Sequence, residues 1–199
     1  MTQELVRELY DETANEPVIE ARTDVGRSAL KKYWMRAKPY VKEAAENLGI
    51  KPYFRKLRIG YEKLQTQMRN GRIVGKVAGY FKPPKTVRID TALPPELGDD
   101  ERYELKRSGL LQEPTDVITH EGIHTQQYES GALQRYFEKF GIFGIAIAEG
   151  VATYLTEKVT GRKQPIYPLE KKLVEHLISK YGEKPIIQGT VKLRPAYAR

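Results

Sequence analysis

"PTDVITHEGIHTQQYES", residues 114–130, holds two of the chain's three histidines, four residues apart, with a glutamate directly after the first. Pro114 suits a first helical turn and Asp116 its positive end, so the stretch predicts a helix from about 114 to 128. On that helix His120, Glu121 and His124 occupy positions i, i+1 and i+4. The two histidines then project from one face, one turn apart, and can reach a single Zn2+. Glu121 stands beside them, where a carboxylate can take the proton of a zinc-acidified water as it attacks a carbonyl. The competing reading is an ordinary amphipathic helix with surface histidines.

A catalytic zinc site needs three protein ligands and one open position. Gly at 127 and His at 130 would complete the metzincin pattern, and the chain has Gln127 and Ser130 instead. His176 is a possible third ligand, although the leucines around it favour a buried structural role. Glu149 is the stronger candidate. It lies within "GIFGIAIAEGVATYL" (141–155), where Phe143, Ile145, Ile147, Val151 and Leu155 predict a helix buried on most sides. A lone carboxylate there is costly unless it is paired or binds metal. Small residues at Ala146, Ala148, Gly150 and Ala152 let that helix pack closely against its neighbour and bring Glu149 within ligand range.

The 199 residues suit one domain, or one domain with an appendage, and 40% apolar with 30% charged is a globular composition. There is no cysteine, so any metal falls to His, Asp or Glu. The apolar stretch 140–155 is short for a bilayer and carries Glu149, so no membrane span is expected. The acidic N-terminus does not resemble a signal peptide, and a cytoplasmic location is the expectation. The net charge of +8 is uneven: eleven Lys and Arg stand between Lys51 and Pro94 against Glu62 and Asp90. That excess is either a solvated basic face or an attraction to an acidic partner: nucleic acid, a membrane surface or an acidic peptide. The mixture "KPYFRKLRIGY" (51–61) keeps nucleic acid among these partners, since aromatics stack bases while Arg and Lys meet phosphates.

Outward from the motif, residues 2–10 predict a short helix and 28–48 a longer one, disturbed at Pro39. Residues 51–71 are ambiguous between helix and strand. "GRIVGKVAGYF" and "TVRIDTAL" flank "KPPK" and predict a hairpin or two adjacent strands at about 73–92. Residues 94–114 read as a loop with at most one helical turn. "GALQRYFEKFG" predicts a short helix, and 142–159 a longer one closed by Gly161. Pro168 starts a last helix with Leu169, Leu173, Val174, Leu177 and Ile178 on its buried side, and "PIIQGTVKLR" predicts a final strand. Strands followed by packed helices define an α+β domain.

With "HEGIH" (120–124) and "AEGVATY" (148–154) on the page, the chain resembles the gluzincins, zinc metallopeptidases with a Glu ligand on the helix after His-Glu-x-x-His. It is most similar to their small members, the minigluzincins and minimal zincin domains, over about residues 74–160. The resemblance implies a zinc-dependent peptidase with His120, His124 and Glu149 as ligands, Glu121 as general base, and a peptide or protein substrate. It further implies a zincin-like domain over 71–199. Residues 1–70 form an N-terminal helical region: a cap, a pro-segment or a partner-binding module. The sequence departs from the family's larger branches at Ala148, where they carry Asn, and at Thr153, where thermolysin-like members carry an Asp that orients a ligand histidine. Thr153 is a weaker candidate for that bond. For stabilising the developing oxyanion the candidates are Tyr154, Tyr167 and His176. The strand pair has two readings, an edge strand that pairs with an extended substrate or purely structural strands. The alternative function is a non-enzymatic or latent zincin-like scaffold whose basic 51–94 region engages nucleic acid or an acidic protein.

Overall fold

The computed structural model of the chain describes residues 16–192 apart from Lys56 and Asp99. The helix expected at 2–10 lies outside the described residues. Strand β1 (Val18–Glu20) leads into helix α1 (Asp24–Asn47), whose start is fixed by Thr23, with Oγ1 accepting the Gly26 N–H at 3.0 Å. Leu30, Trp34, Ala37, Val41 and Ala45 recur at helical spacing and are buried. Pro39 does not break the helix. It lies on the exposed face, as does Met35, whose carbonyl it leaves without a helical N–H.

The stretch that was ambiguous in sequence is extended: β2 (Arg58–Glu62) and β3 (Thr66–Arg69). The 73–92 region divides between two sheets. β5 (Gly79–Lys82) and β6 (Thr86–Asp90) form the expected antiparallel hairpin around "KPPK", whereas β4 (Arg72–Lys76) turns back to pair with β3. Lys76 gives the physical reason. Its ammonium is enclosed, 3.0 Å from Asp90, 3.1 Å from Glu101 and 2.8 Å from Thr66 Oγ1, so the chain bends there to deliver it. The main sheet has the order β1-β2-β6-β5, with β1, β2 and β6 parallel and β5 antiparallel on one edge. α1 is the crossover between β1 and β2, so residues before 70 supply two strands and a core helix to the same sheet.

Residues 101–107 form helix α2, longer than the single turn expected of that loop. Helix α3 (Pro114–Glu129) carries the histidine motif and is enclosed on nearly every side, not on one face. It runs between two apolar clusters. Val117 and Ile118 join the cluster built by α1 and the sheet, and Ile123 joins the cluster of the C-terminal helices. Those helices are α4 (Ala132–Phe140), α5 (Gly144–Thr160), α6 (Pro168–Tyr181) and the short α7 (Glu183–Ile187). Gly161 ends α5 in the left-handed conformation at φ 67°, as expected.

Three expectations need correcting. Phe143 and Ile145 are exposed, while Ile147, Val151 and Leu155 are buried, so α5 hides one side only and its start emerges from the fold. On α6, Leu169 and Leu173 are exposed, and burial centres on Val174. The predicted last strand is α7 followed by a turn up to Lys192, because Ile186, Ile187 and Val191 fill the space beside Tyr136. The architecture is mixed α+β with a small sheet. By length and composition, Ala132–Thr160 taken together is apolar enough to cross a membrane, and half of its most apolar window is buried inside the fold.

Candidate metal centre

α3 sets His120 and His124 one turn apart with their rings edge to face, centroids 4.9 Å from each other. Their Nε2 atoms are 3.2 Å apart. Glu149 reaches in from α5 and places Oε2 3.2 Å from His120 Nε2 and 3.1 Å from His124 Nε2. Among the described residues, these three form the group whose ligand atoms could share one ion, and His176 is not in it. A tetrahedral zinc with bonds of about 2.0 Å separates its ligand atoms by roughly 3.3 Å, so the observed triangle fits such an ion. The donor set, two imidazoles and one carboxylate, suits zinc as well.

Electrostatics describe the same cluster without a cation. Burial acts to raise Glu149, but the two histidines outweigh it and hold the carboxyl well below its ordinary range. Burial pulls His120 down. For His124 burial works in the same direction, yet Glu149 more than offsets it and lifts the ring to about 9. The half-buried Glu149 carboxylate and the two rings thus converge, a negative group against two ring nitrogens, at the place where a cation would serve.

Glu121 is 7% exposed, and burial raises its carboxyl to about 7, with Glu149 adding and His124 opposing. It receives a hydrogen bond from the backbone N–H of Phe81 on β5. That contact follows from the strand register. The Asp90 N–H donates to Ala78 C=O at 2.8 Å, so alternation turns the main chain of Gly79 and Phe81 away from β6, towards the open edge. Gly79 is required there: a Cβ would come within 2.6 Å of Val117 and 3.2 Å of Glu121 Cγ. A cavity of about 250 Å3 opens beside His120 and Glu121, between Val77–Gly79 on one wall and Ile166 and Tyr167 on the other.

Of the weaker candidates, Tyr167 is brought to the site and the others are not. Its ring stacks on His120 at 5.9 Å and 14°, from a left-handed backbone at φ 49°. Burial, then Glu149 and Glu121, raise its phenol to about 12. The loop that carries it is pinned to the start of α3: Arg162 is ion-paired with Asp116, and Gln164 Nε2 donates to Asp116 at 3.2 Å. Thr153 is fully buried, and its hydroxyl, like His120 Nδ1, has no partner among the described residues. Tyr154 points elsewhere, donating to Glu183 at 3.1 Å. His176 is exposed on α6, which corrects its expected burial.

Two functional contacts went unread in the sequence. Gln127 holds His124 through Nδ1 at 2.8 Å and reaches Ala148 C=O at 3.0 Å. Its signal was available, a polar residue three positions after the second histidine on the same face. Of the small residues of α5, Gly150 acts differently from expectation. Gly150 packs against α6, where a Cβ would lie 2.4 Å from the Glu170 carbonyl oxygen. Within the basic region Lys76, Arg58 and Arg88 are ion-paired with Asp90, Glu101 or Glu20, so part of that charge is internal structure.

No protein-family model, no curated protein and no solved structure matches the chain.

Proposed function

We propose that the chain is a zinc-dependent peptidase of minimal gluzincin type, with His120, His124 and Glu149 as the metal ligands. The observation that carries the reading is the triangle of two Nε2 atoms and one Oε2, with sides of 3.1–3.2 Å. Bound zinc would supply a Lewis acid that polarises a carbonyl and acidifies a water. The remaining steps belong to the chain's own residues. An extended peptide pairs with the outward main-chain groups of Gly79 and with the carbonyl of Phe81 on β5, the Phe81 N–H being taken by Glu121. Glu121, near neutral in its burial, takes the proton of the attacking water and hands it to the leaving nitrogen. The Tyr167 phenol, which stays protonated through neutral pH, donates to the carbonyl oxygen as it gains charge.

Metal analysis of the purified protein tests the ligands. Zinc is expected at one per chain in the parent and is lost in His120→Ala and Glu149→Ala. Unchanged zinc in both variants would refute the site. Hydrolysis of quenched peptides, lowered at least about 100-fold in Glu121→Gln, tests the chemistry.

The ring of Tyr167 lying on His120, beside a cavity of only about 250 Å3, supports a second reading, a latent scaffold that holds zinc without turnover. In that form the exposed part of the basic 51–94 region would engage nucleic acid or an acidic protein. Stoichiometric zinc with no hydrolysis of any peptide, and salt-sensitive binding of RNA or DNA, would select it.

A further inference from the structure

We infer that Gln127 is the positioning residue of this centre: its side-chain amide selects the metal-facing nitrogen of His124 and ties the two ligand helices together. The inference rests on the zinc reading and concerns how the site is held, not whether it hydrolyses anything.

Gln127 is fully buried in α3. One end of its amide is 3.0 Å from the Ala148 carbonyl oxygen, which only accepts, so the nitrogen must stand there. The amide oxygen is therefore the atom 2.8 Å from His124 Nδ1. It has no proton to give, so Nδ1 must carry one. A neutral His124 then keeps its lone pair on Nε2, the atom that faces Glu149 and His120.

The second half of the amide's role lies on the other helix. Ala148 immediately precedes Glu149, so the bond from Gln127 sets the height of α5 against α3 at the ligand itself. One side chain thus fixes the orientation of one ligand and the approach of another. His120 has no equivalent support, since its Nδ1 is buried without a partner among the described residues. The two histidines are unequal, and His124 is the oriented one.

Zinc affinity, by competition with a chromogenic chelator, and the visible spectrum of the Co2+-loaded protein are the readouts, alongside the melting temperature of the metal-free form. Gln127→Met, close in shape but without amide chemistry, is expected to weaken zinc about 10- to 100-fold and to shift the Co2+ bands. Gln127→Glu keeps an acceptor for Nδ1 but gives up the donor to Ala148 C=O, and is expected to recover affinity to within about tenfold of the parent rather than fully. Equal affinity in parent and Gln127→Met overturns the inference while leaving the metal centre standing. A Gln127→Glu protein that melts like the parent yet loses 100-fold or more also overturns it, and this arm decides alone if the Met variant does not fold. A parent that binds no zinc ends both readings together.

Discussion

At Gly122 helix α3 accepts the residue that helices least tolerate short of proline. Glycine costs about 1 kcal/mol against alanine in a helix interior. The reason is Val41 of α1, whose Cγ2 would lie 2.7 Å from an added Cβ. The intrinsic gain of Gly122→Ala is smaller than the cost of overpacking, about 1–3 kcal/mol. A net loss of about 1 kcal/mol is therefore expected in urea denaturation. The double variant with Val41→Ala should lose less than the two singles together, because the clash is shared. At Glu121 the expectation is kinetic. Glu121→Gln keeps the shape and the zinc, and turnover falls about 10²- to 10⁴-fold, the usual worth of a general base. Zinc content and peptide hydrolysis measured on one preparation check both parts.

At the scale of elements, the Lys76 network joins the β3–β4 hairpin to the main sheet and to α2. Lys76 is 1% exposed and Asp90 not at all. Lys76→Met leaves Asp90 a buried carboxylate without its cation, held only by the N–H groups of Leu64 and Ala92, and about 3 kcal/mol of stability should go with it. Trypsin cleavage within 66–72 of that variant would report the loosened hairpin. This network also marks where the sequence stopped being legible. Periodicity found α1, and end signals placed others: Pro114 and Asp116 the start of α3, Gly161 the end of α5 and Pro168 the start of α6. Periodicity also found the β5–β6 hairpin, because "KPPK" separates two alternating runs. It misplaced β4, because a lysine reads as surface and nothing local shows that Asp90 and Glu101 will enclose it. It drew α7 as a strand, because five residues carry too little pattern to separate the two periods. It overstated the burial of α5, since Phe143 and Ile145 look like core residues wherever they lie. His120, His124 and Glu149 were legible through spacing and through the cost of a buried charge. Gln127 was half legible: its place three residues after His124 showed a local partner, while its bond to Ala148 C=O depends on a helix 21 positions away.

For the molecule as a whole, the metal reading predicts a stability linkage. The centre joins α3 to α5, and α3 in turn joins the two apolar clusters. Zinc bound to the folded chain alone, at about 100 times its dissociation constant, adds roughly 2.7 kcal/mol. A strong chelator should lower the melting temperature of the parent and leave that of His120→Ala unchanged. Acid should act at the centre, where protonating the ligands releases the metal, and at other groups as well. Burial favours the protonated form of Glu96, but hydrogen bonds from Tyr33 and Lys32 win and hold it below its ordinary value. Burial is likewise outweighed at Glu101 by hydrogen bonds from Thr66 and Lys76. Both folded-state values lie below the unfolded ones, so their contribution is complete above about pH 4.3 and is lost as pH falls through the folded values. Melting temperatures from pH 6 to 3 should drop with a slope that Glu96→Gln and Glu101→Gln together make shallower.

The enclosure of α3, with 14 of its 16 residues buried, has a consequence for anyone mapping function by mutation. The helix has almost no surface on which a substitution is neutral. A screen scored by activity would return most of its positions as essential, and His120, Glu121 and His124 would be lost among their packing neighbours. Only a paired score, activity beside the abundance of folded protein, separates a residue that does chemistry from one that merely fills space.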